Sequence, residues 1–533
     1  MSYTKTLRLK IKKFFYAFSL PESAAINGLW LGTAAEPELF PFVVSPRGAA
    51  QKVYNAEVER AKFQRPTDPA LLEQVGPRQY RLRIFPIPAA RVDNEPNRTG
   101  KRLPGELHLR LTYQVMQADG QWPLPQLIEK RNIFWTDDTL HQRDRGRVEL
   151  SADDWFETAI PAKKAKAQPH SITLADGYHV SAAPLSAHQH KRPTGQQRFA
   201  IVVDTSYSMG EHQQALKQAV EQIQAAQNQA AQTQAAQNSL DYYVPSVGRA
   251  VAALSEDAVH GDAAKAAAVQ SDLSVNDLLF YGSLQPAEML QQFAAAKGDR
   301  TYDAILLLTD EGSYALAQDK GELPALDAPL WLVHIDGKVP AAYEDGLLQQ
   351  LQASRGGVET GVTAALQRIG WTSAETTVLD GYTWKVEAVE QAAVADVERD
   401  AAADAVQGRF AAIAARQLIN QQSRTRDMSA VAALDRVHAI AQRTGIVTPY
   451  SSMLVLVDER QREALRQAEA SADRFNRTVE NGTDELTDPD NPLSIPEPSQ
   501  VLGLIVGAIA LIVLKRNSSA LTSPPIKRGH QGR

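Results

Sequence analysis

The stretch FAIVVDTSYSMG (199–210) joins an apolar run of five residues to an acid, two serines at alternate positions and a glycine. An uninterrupted apolar run of this length is typical of a parallel strand that is covered on both faces. In an open parallel sheet, ligands bind beyond the carboxyl ends of the strands, where loops converge. Because Asp204, Ser206 and Ser208 follow the run directly, the pattern predicts a polar site at the end of a buried strand.

Further apolar runs follow, and helical segments separate them: DLLFYG (277–282), DAILLLT (303–309) and PLWLVHI (329–335). After the first strand, Leu216, Val220 and Ile223 recur at spacings of four and three, which places them on one face of a helix. Repeated alternation of strand and helix predicts an α/β domain with a doubly wound, mainly parallel sheet over residues 198–365.

A second acid stands at the end of another predicted strand, in LLLTDEG (306–312), where Asp310 follows the apolar run. Carboxylate and hydroxyl oxygens are hard ligands that suit Mg²⁺, Ca²⁺ or Mn²⁺ rather than zinc or copper. The alternative interpretation treats Asp204, Ser206 and Ser208 as a helix N-cap with additional hydroxyls. The matching position of Asp310 favours a divalent-cation site, with Mg²⁺ as the expected ion and oxygens from other loops completing its coordination.

The motif DTSYS (204–208) resembles the DxSxS motif of the von Willebrand factor type A domain, and Asp310 matches the later strand-end acid of that family. The resemblance implies a metal-ion-dependent adhesion site. In such a site the two serines bind the metal directly and the acids bind it partly through water. An open position then accepts an acidic side chain from a protein partner.

The resemblance also implies a metal-binding threonine from the loop between these two segments, and here the sequence departs from the pattern. Ser283 stands directly after DLLFYG, where the topology places that loop. Thr301 lies nine residues before Asp310, directly ahead of the next predicted strand. We expect Ser283 to be the loop ligand, with Thr301 as the alternative.

Residues 1–160 are predicted to form a β-rich domain. RQYRLRIFPIP (78–88) and GELHLRLTYQV (105–115) alternate between apolar and polar residues, which predicts half-buried antiparallel strands. The stretch 45–88 resembles part of the VIT domain that stands beside type A domains in inter-α-trypsin inhibitor heavy chains. Residues 443–459 resemble the segment that closes the same proteins. The chain begins well into the VIT pattern, so we expect a truncated VIT-like domain.

The remaining segments connect these parts. Residues 161–197 are predicted to be a linker, and its four histidines indicate either a metal site or a solvated linker: His170, His179, His188 and His190. No spacing among them fits a folded ligand set, which favours the solvated linker. Residues 366–460 are predicted to form a helical segment and a closing strand. Residues 461–500 are polar and acidic, as in a disordered stalk.

The carboxyl-terminal region IPEPSQVLGLIVGAIALIVLKR (495–516) resembles a PEP-CTERM sorting signal, with Pro496-Glu497-Pro498, an apolar run at 501–514, then Lys515 and Arg516. In that bacterial system the resemblance implies recognition by an exosortase-type processing enzyme. Fourteen helical residues span about 21 Å, against about 30 Å of hydrocarbon, so snorkelling of the flanking basic residues has to close part of the difference. A core helix is the alternative to this short transmembrane helix. The basic tail, residues 515–533, is expected to be cytoplasmic.

Composition excludes several classes of protein. The 533 residues suffice for two to four domains, and 44% hydrophobic with 22% charged residues is ordinary globular composition. A net charge of −6 without a basic, aromatic stripe predicts no nucleic-acid partner. The absence of cysteine excludes disulfides and a cysteine nucleophile. Since the sequence also lacks the HExxH, P-loop, GxSxG and helix-opening GxGxxG motifs, we expect a protein that is not an enzyme.

Two functional hypotheses follow. The first is a membrane-tethered, surface-displayed adhesion protein, with most of the chain on the outer face of the cytoplasmic membrane or at the cell surface. The alternative is an intracellular or membrane-associated type A scaffold that assembles protein complexes or works with an ATPase. The first hypothesis requires an export signal, but Pro21 and Glu22 interrupt the short amino-terminal apolar run. Together with the truncated VIT pattern, this leads us to expect an incomplete gene model or a fragment whose export or membrane segments lie upstream.

Overall fold

A computed structural model of the chain describes residues 12–32, 39–60, 69–87, 91–93, 101–103, 108–129, 142–143, 146–147, 158–163, 166–185, 198–233, 239–245, 268–270, 273–310, 323–340, 342–373, 375–389 and 401–477. Two compact units are distinguished, Met1–Asn481 and Gly482–Arg533, and all described residues belong to the first.

The strands, in chain order, are β1 (Lys12–Ser19), β2 (Ala25–Gly32), β3 (Phe40–Pro46), β4 (Ala70–Gln74), β5 (Gln79–Ile87), β6 (Arg91–Asp93), β7 (Lys101–Leu103), β8 (His108–Gln114), β9 (Gln121–Pro123), β10 (Gln126–Glu129), β11 (Gln142–Arg143), β12 (Gly146–Arg147), β13 (Ala159–Pro161), β14 (His170–Leu174), β15 (Tyr178–Pro184), β16 (Arg198–Val203), β17 (Ser239–Val244), β18 (Ala268–Gln270), β19 (Ala304–Thr309), β20 (Leu330–His334), β21 (Gly357–Glu359), β22 (Thr376–Leu379), β23 (Tyr382–Ala388) and β24 (Ser451–Val455). The α-helices are α1 (Arg47–Arg60), α2 (Gln213–Thr233), α3 (Pro286–Lys297), α4 (Asp345–Ala353), α5 (Val362–Trp371), α6 (Ala401–Thr425), α7 (Val431–Thr444) and α8 (Glu459–Glu469).

A mainly parallel sheet forms the centre of the α/β part, in the order β18-β17-β16-β19-β20-β21. The five strands from β17 to β21 run parallel, and β18 pairs antiparallel with β17 at the edge. Numbered within the sheet, the order is 3-2-1-4-5-6, which is a doubly wound arrangement. The fold class predicted for this part is therefore confirmed at the level of a mainly parallel α/β sheet.

Helices cover both faces of this sheet, which explains the uninterrupted apolar runs. Alternate residues of β16 point to opposite faces: Phe199, Ile201 and Val203 pack with α2 and α5, while Ala200 and Val202 pack with α3 and α4. The predicted α2 face lies in the first of these cores. Since both faces are buried, no position in the strand is left for a polar residue until the strand ends.

The prediction of a strand at DLLFYG is wrong. Residues 275–277 form a 3-10 helix, and residues 278–283 form an irregular loop. The second parallel strand is β17, SLDYYV, in which Tyr242 and Tyr243 are fully buried. Leu279, in the middle of DLLFYG, is 76% exposed, so this run is not covered on both faces as a central strand requires.

The amino-terminal β part is organised around an eight-stranded sheet in the order β10-β1-β5-β4-β24-β3-β2-β8. Strand β24, from the far end of the described chain, lies between β4 and β3 and pairs antiparallel with both. Its residues are all buried; Leu454, for example, is opposite Val43 and Leu71. The closing strand predicted within 366–460 thus completes the first sheet, and the α/β part is inserted between two portions of one β structure.

Strand β5 is buried on both faces, so the prediction of a half-buried strand is wrong for it. Arg81 and Arg83 are only 5% and 1% exposed, because α1 covers their side of the sheet and α8 packs on α1. Arg83 donates a hydrogen bond to Glu73 at 2.7 Å, and its guanidinium lies over the ring of Tyr54. A buried arginine is tolerated here because it is paired with a carboxylate.

Much of the predicted linker is folded, which corrects the assignment of 161–197. Strands β14 and β15 form a hairpin that pairs with β23 and then β22, giving a four-stranded sheet in the order β14-β15-β23-β22. His170 stacks on Phe410 of α6 at 5.3 Å, and His179 hydrogen-bonds Thr173 across the hairpin. These two histidines are therefore strand residues that pack and pair within the sheet. His188 and His190 lie outside the described residues.

Several predicted boundaries also change. Helix α5 crosses the boundary predicted at 365/366, and α8 occupies the start of the predicted stalk. Residues 478–500, the sorting motif and the candidate membrane segment 501–514 lie outside the described residues. Within the part of the chain that the structure describes, no helix combines the length and the apolarity that crossing a bilayer requires.

A buried ion-pair network joins the β part to the α/β part. Arg368 of α5 contacts Glu22 at 2.9 Å and Glu359 of β21 at 2.5 Å, and Arg78 reaches Glu359 at 3.3 Å. Burial opposes ionisation of Glu22, but the guanidinium of Arg368 outweighs it and lowers the pKa of Glu22. The network therefore fixes β21 and α5, at the edge of the parallel sheet, against the β part.

Candidate metal centre

The candidate site lies where the sheet order changes direction. Strands β16 and β19 are neighbours, and the last residue of β16, Val203, pairs with Leu308. The next residue, Asp204, donates a hydrogen bond from its backbone N to Leu308 O at 3.0 Å. After β16 the chain continues to β17 on one side of this pair, and after β19 it continues to β20 on the other side. The loops that follow β16 and β19 therefore diverge, and a crevice lies between them. Asp204 and Asp310 stand at the start of these two loops.

The side chain of Asp204 accepts one hydrogen bond from its own loop and one from β19. Its side chain is 2% exposed; Oδ1 accepts a hydrogen bond from Ser206 N at 2.8 Å, and Oδ2 accepts one from Thr309 Oγ1 at 2.7 Å. The first bond shapes the loop that presents the serines, and the second connects the carboxylate to β19. Thr309 is a site residue that the sequence reasoning missed, although its place directly before Asp310 could have indicated it.

Two acids lie near each other in this buried position, where loss of solvation disfavours the charged form of Asp204. Burial raises the pKa of Asp204 to about 6; the negative charge of Asp310 also raises it, and the hydrogen bonds from Ser206 and Thr309 lower it. Asp310 is itself 3% exposed. Among the described residues, no arginine or lysine pairs with Asp204. A bound cation would offset the negative charge of Asp204, and carboxylate and hydroxyl oxygens are the ligands that a hard divalent ion prefers.

The two serines present their hydroxyls together. Ser206 Oγ lies 3.2 Å from Ser208 Oγ; Ser206 is 7% exposed, while Ser208 is exposed. A 3-10 helix begins at Ser208, and the fully buried Met209 anchors its first turn in the core. The loop therefore places one hydroxyl inside the crevice and the other at its mouth.

Asp310 is positioned through the next strand of the sheet. Its backbone oxygen lies 2.5 Å from His334 Nδ1, and His334 Nε2 lies 2.7 Å from the hydroxyl of Tyr343. Since a carbonyl oxygen can only accept, Nδ1 is the protonated nitrogen, and Nε2 accepts the Tyr343 hydrogen. Burial lowers the pKa of His334, which keeps the ring neutral. His334 is thus a core histidine, and it supports the backbone beside Asp310.

The structure separates the two candidates for the loop ligand. Tyr281 N donates to Thr205 O at 3.1 Å and Tyr207 N donates to Gly282 O at 3.0 Å, so the loop that ends in Ser283 runs beside the serine loop. Ser283 is exposed at this edge. Thr301 precedes β19 and lies at the opposite edge, about 20 Å away along a six-residue strand. The structure therefore does not bring Thr301 to the serines, whereas it brings the loop of Ser283 beside them.

The candidate metal ligands at this edge are the carboxylates of Asp204 and Asp310 and the hydroxyls of three serines, Ser206, Ser208 and Ser283. In the described ranges, no three histidine, aspartate or glutamate side chains gather into a group that could hold a metal. A cation here would depend on hydroxyl oxygens, which only hard ions bind well. No protein-family model matches the chain, and no match to it was found among the curated proteins.

Proposed function

We propose that this chain is a binding protein that uses a divalent cation, Mg²⁺ in first place, to hold an acidic side chain of a protein partner. The observation that supports this function is the convergence of Asp204, Ser206, Ser208 and Asp310 at the carboxyl edge of a doubly wound sheet. The resemblance of DTSYS to the type A adhesion motif leads to the same proposal. Ca²⁺ and Mn²⁺ satisfy the same ligand chemistry.

The proposed cation would have both neutral hydroxyl ligands and charged carboxylate ligands, and this difference explains why it would attract a carboxylate of the partner. Ser206 and Ser208 would hold the ion through neutral hydroxyls, with Ser283 added from the neighbouring loop. Asp204 and Asp310 would hold it partly through water, as the resemblance implies. Because the hydroxyls at the mouth of the crevice add no negative charge, the solvent-facing side of the ion remains positive and attracts a carboxylate.

The same geometry favours binding over catalysis. A serine nucleophile needs a neighbouring general base. Ser206 Oγ has the hydroxyl of Ser208 beside it, and both ring nitrogens of His334 are engaged by Asp310 O and Tyr343. We therefore propose that the protein is not an enzyme.

Surface display remains part of the proposal on the strength of the sequence. The apolar run 501–514, Pro496-Glu497-Pro498 and the basic pair Lys515 and Arg516 fit a processed membrane tether. Protease treatment of intact cells distinguishes this from an intracellular scaffold. We expect the α/β part to be cleaved on intact cells; complete protection there, with cleavage only after lysis, would contradict surface display.

Metal binding is tested by titrating the full chain with Mn²⁺ and measuring free Mn²⁺ by electron paramagnetic resonance. We expect one saturable site per chain that Mg²⁺ competes for, and weaker binding in Asp310→Asn. Asp299→Asn, an exposed aspartate in the same part of the fold, is the matched control and should bind as the unmodified chain does. No saturable binding, or equal binding by both variants, would contradict the proposed site.

A further inference from the structure

Two large apolar side chains beside the candidate metal centre are unusually exposed. Among the described residues, Leu279 is 76% and Tyr207 73% exposed, whereas the next most exposed large hydrophobic residues, Trp122 and Val431, reach only 39%. Tyr207 stands between the two metal-site serines, and Leu279 lies in the loop that runs beside them. We call Tyr207 and Leu279 the rim pair.

The exposure of Leu279 results from the anchoring of its neighbours. Leu278 and Phe280 both pack against the core on the α2 face of the sheet. The chain is extended at this point, so the residue between them is directed outward. Phe280 also lies close to the serine loop, since a Cβ added to Gly210 would stand 3.4 Å from Phe280 Cβ.

Tyr207 is held outward by the same pair of loops. Its backbone N–H is bonded to Gly282 O, while Ser206 is buried on one side and Met209 is buried two residues further on. The rim pair therefore belongs to two loops that are tied to each other and to the core. A partner bound at the metal centre would lie beside both side chains, and tyrosine is enriched among the residues that dominate binding energy.

We propose that the rim pair determines which acidic segments the protein binds: it selects a partner whose carboxylate is directly flanked by a large apolar side chain. This inference rests on the proposed metal-dependent function. A cation–carboxylate contact alone does not discriminate among acidic sequences, whereas burial of one apolar side chain on the rim changes affinity about tenfold or more. The partner class is thus a protein segment with aspartate or glutamate next to phenylalanine, tyrosine, leucine or methionine.

The test uses a peptide library with a fixed central aspartate and randomised flanking positions, selected on the immobilised full chain in Mg²⁺ and eluted with EDTA. We expect the eluted peptides to be enriched in large apolar residues beside the aspartate. The tightest peptide should bind at least about tenfold more weakly to Tyr207→Ser and to Leu279→Ser. Val431→Ser, at a 39% exposed position on α7, is the matched control and should bind as the unmodified chain does.

The possible failures are distinguishable. The role of the rim pair would be overturned if the peptides eluted by EDTA were acidic but not enriched in apolar residues. It would also be overturned if both rim variants selected the same apolar-enriched peptides. Either result would leave metal-dependent binding intact. If EDTA elutes no aspartate peptide and Mg²⁺ leaves the melting temperature unchanged, the proposed function fails, and the role of the rim pair fails with it. Melting curves of the variants show whether they are folded.

Discussion

Replacing Asp204 by asparagine should stabilise the metal-free protein and abolish its response to Mg²⁺. Asp204 is 2% exposed, and burial raises its pKa from 3.8 to about 6. Each pKa unit corresponds to about 1.4 kcal/mol, so the ionised carboxylate lowers the free energy of unfolding by about 3 kcal/mol at pH 7. Asparagine removes this charge and keeps an oxygen that can accept the hydrogen bond from Ser206 N.

The pH dependence follows from the same shift. A carboxyl group whose pKa is raised on folding binds its proton more tightly in the folded state, so metal-free stability falls as the pH rises from about 4 to about 6. Below this window Asp204 adds no penalty, and above it the whole penalty is present. The asparagine variant should lack this component of the pH profile.

Mg²⁺ should offset most of this difference in stability between the unmodified chain and Asp204→Asn. At a hundredfold excess over its dissociation constant, a ligand that binds only the folded state adds about 2.7 kcal/mol. We therefore expect the unmodified chain to gain stability in Mg²⁺ while Asp204→Asn does not. The assay is urea unfolding in EDTA and in Mg²⁺ at pH 5 and pH 7, with Asp299→Asn as the control. If Asp204→Asn is less stable than the unmodified chain in EDTA at pH 7, the reasoning is wrong.

Other parts of the fold give three further predictions. Leu454→Ala, in the buried centre of β24, should cost about 2–5 kcal/mol by leaving a cavity, as measured by urea unfolding. Arg368→Met should cost about 3–5 kcal/mol because Glu22 and Glu359 lose their shared buried partner. His438, whose Nδ1 lies 2.8 Å from Ser451 Oγ, has its pKa lowered by burial to about 4. As the pH falls from 6.5 to 4 the unfolded state binds the proton first, so stability should fall by about 3 kcal/mol, and His438→Gln should lose this dependence.

Each of these predictions has its own contradicting result. A Leu454→Ala variant as stable as the unmodified chain would mean that β24 is not a central strand. A double variant in which Glu22→Gln accompanies Arg368→Met should recover part of the loss; no recovery would mean that the two side chains do not interact. Identical pH profiles for His438→Gln and the unmodified chain would exclude a lowered pKa of His438 in the folded state.

Where local pattern determines structure, the sequence predicted it correctly. The runs at β16, β19 and β20 are uninterrupted because both faces of these strands are buried. The i, i+4, i+7 pattern after β16 predicted the buried face of α2. Asp204 and Asp310 follow neighbouring strands and were expected together, because parallel strands end at one edge of the sheet.

Strand β17 could not be predicted in this way, since Asp241 interrupts its apolar pattern. Asp241 accepts a hydrogen bond from the hydroxyl of Tyr302 at 2.6 Å, which satisfies the acid within the sheet. The partner lies about sixty residues further along the chain, beyond any local window. DLLFYG is more apolar, so the local pattern favours it as the strand, although Leu279 faces solvent.

Long-range pairing accounts for the remaining differences. Strand β24 lies between β3 and β4, which are some 380 to 410 residues away in the sequence. The spacing of apolar residues within a segment cannot indicate a contact over such a distance. The alternation in β5 indicates one polar face but cannot show that α1 covers it and pairs Arg83 with Glu73. The sorting motif and the membrane segment lie outside the described residues and stay predictions.

A crystal of this protein grown in MnCl₂ tests the metal centre most directly, because manganese is located by its anomalous scattering. We predict one anomalous peak among the oxygens of Asp204, Ser206, Ser208 and Asp310 at the carboxyl edge of the parallel sheet. A well-diffracting crystal with full-strength density for these four side chains and no anomalous peak between them would contradict the metal-dependent function.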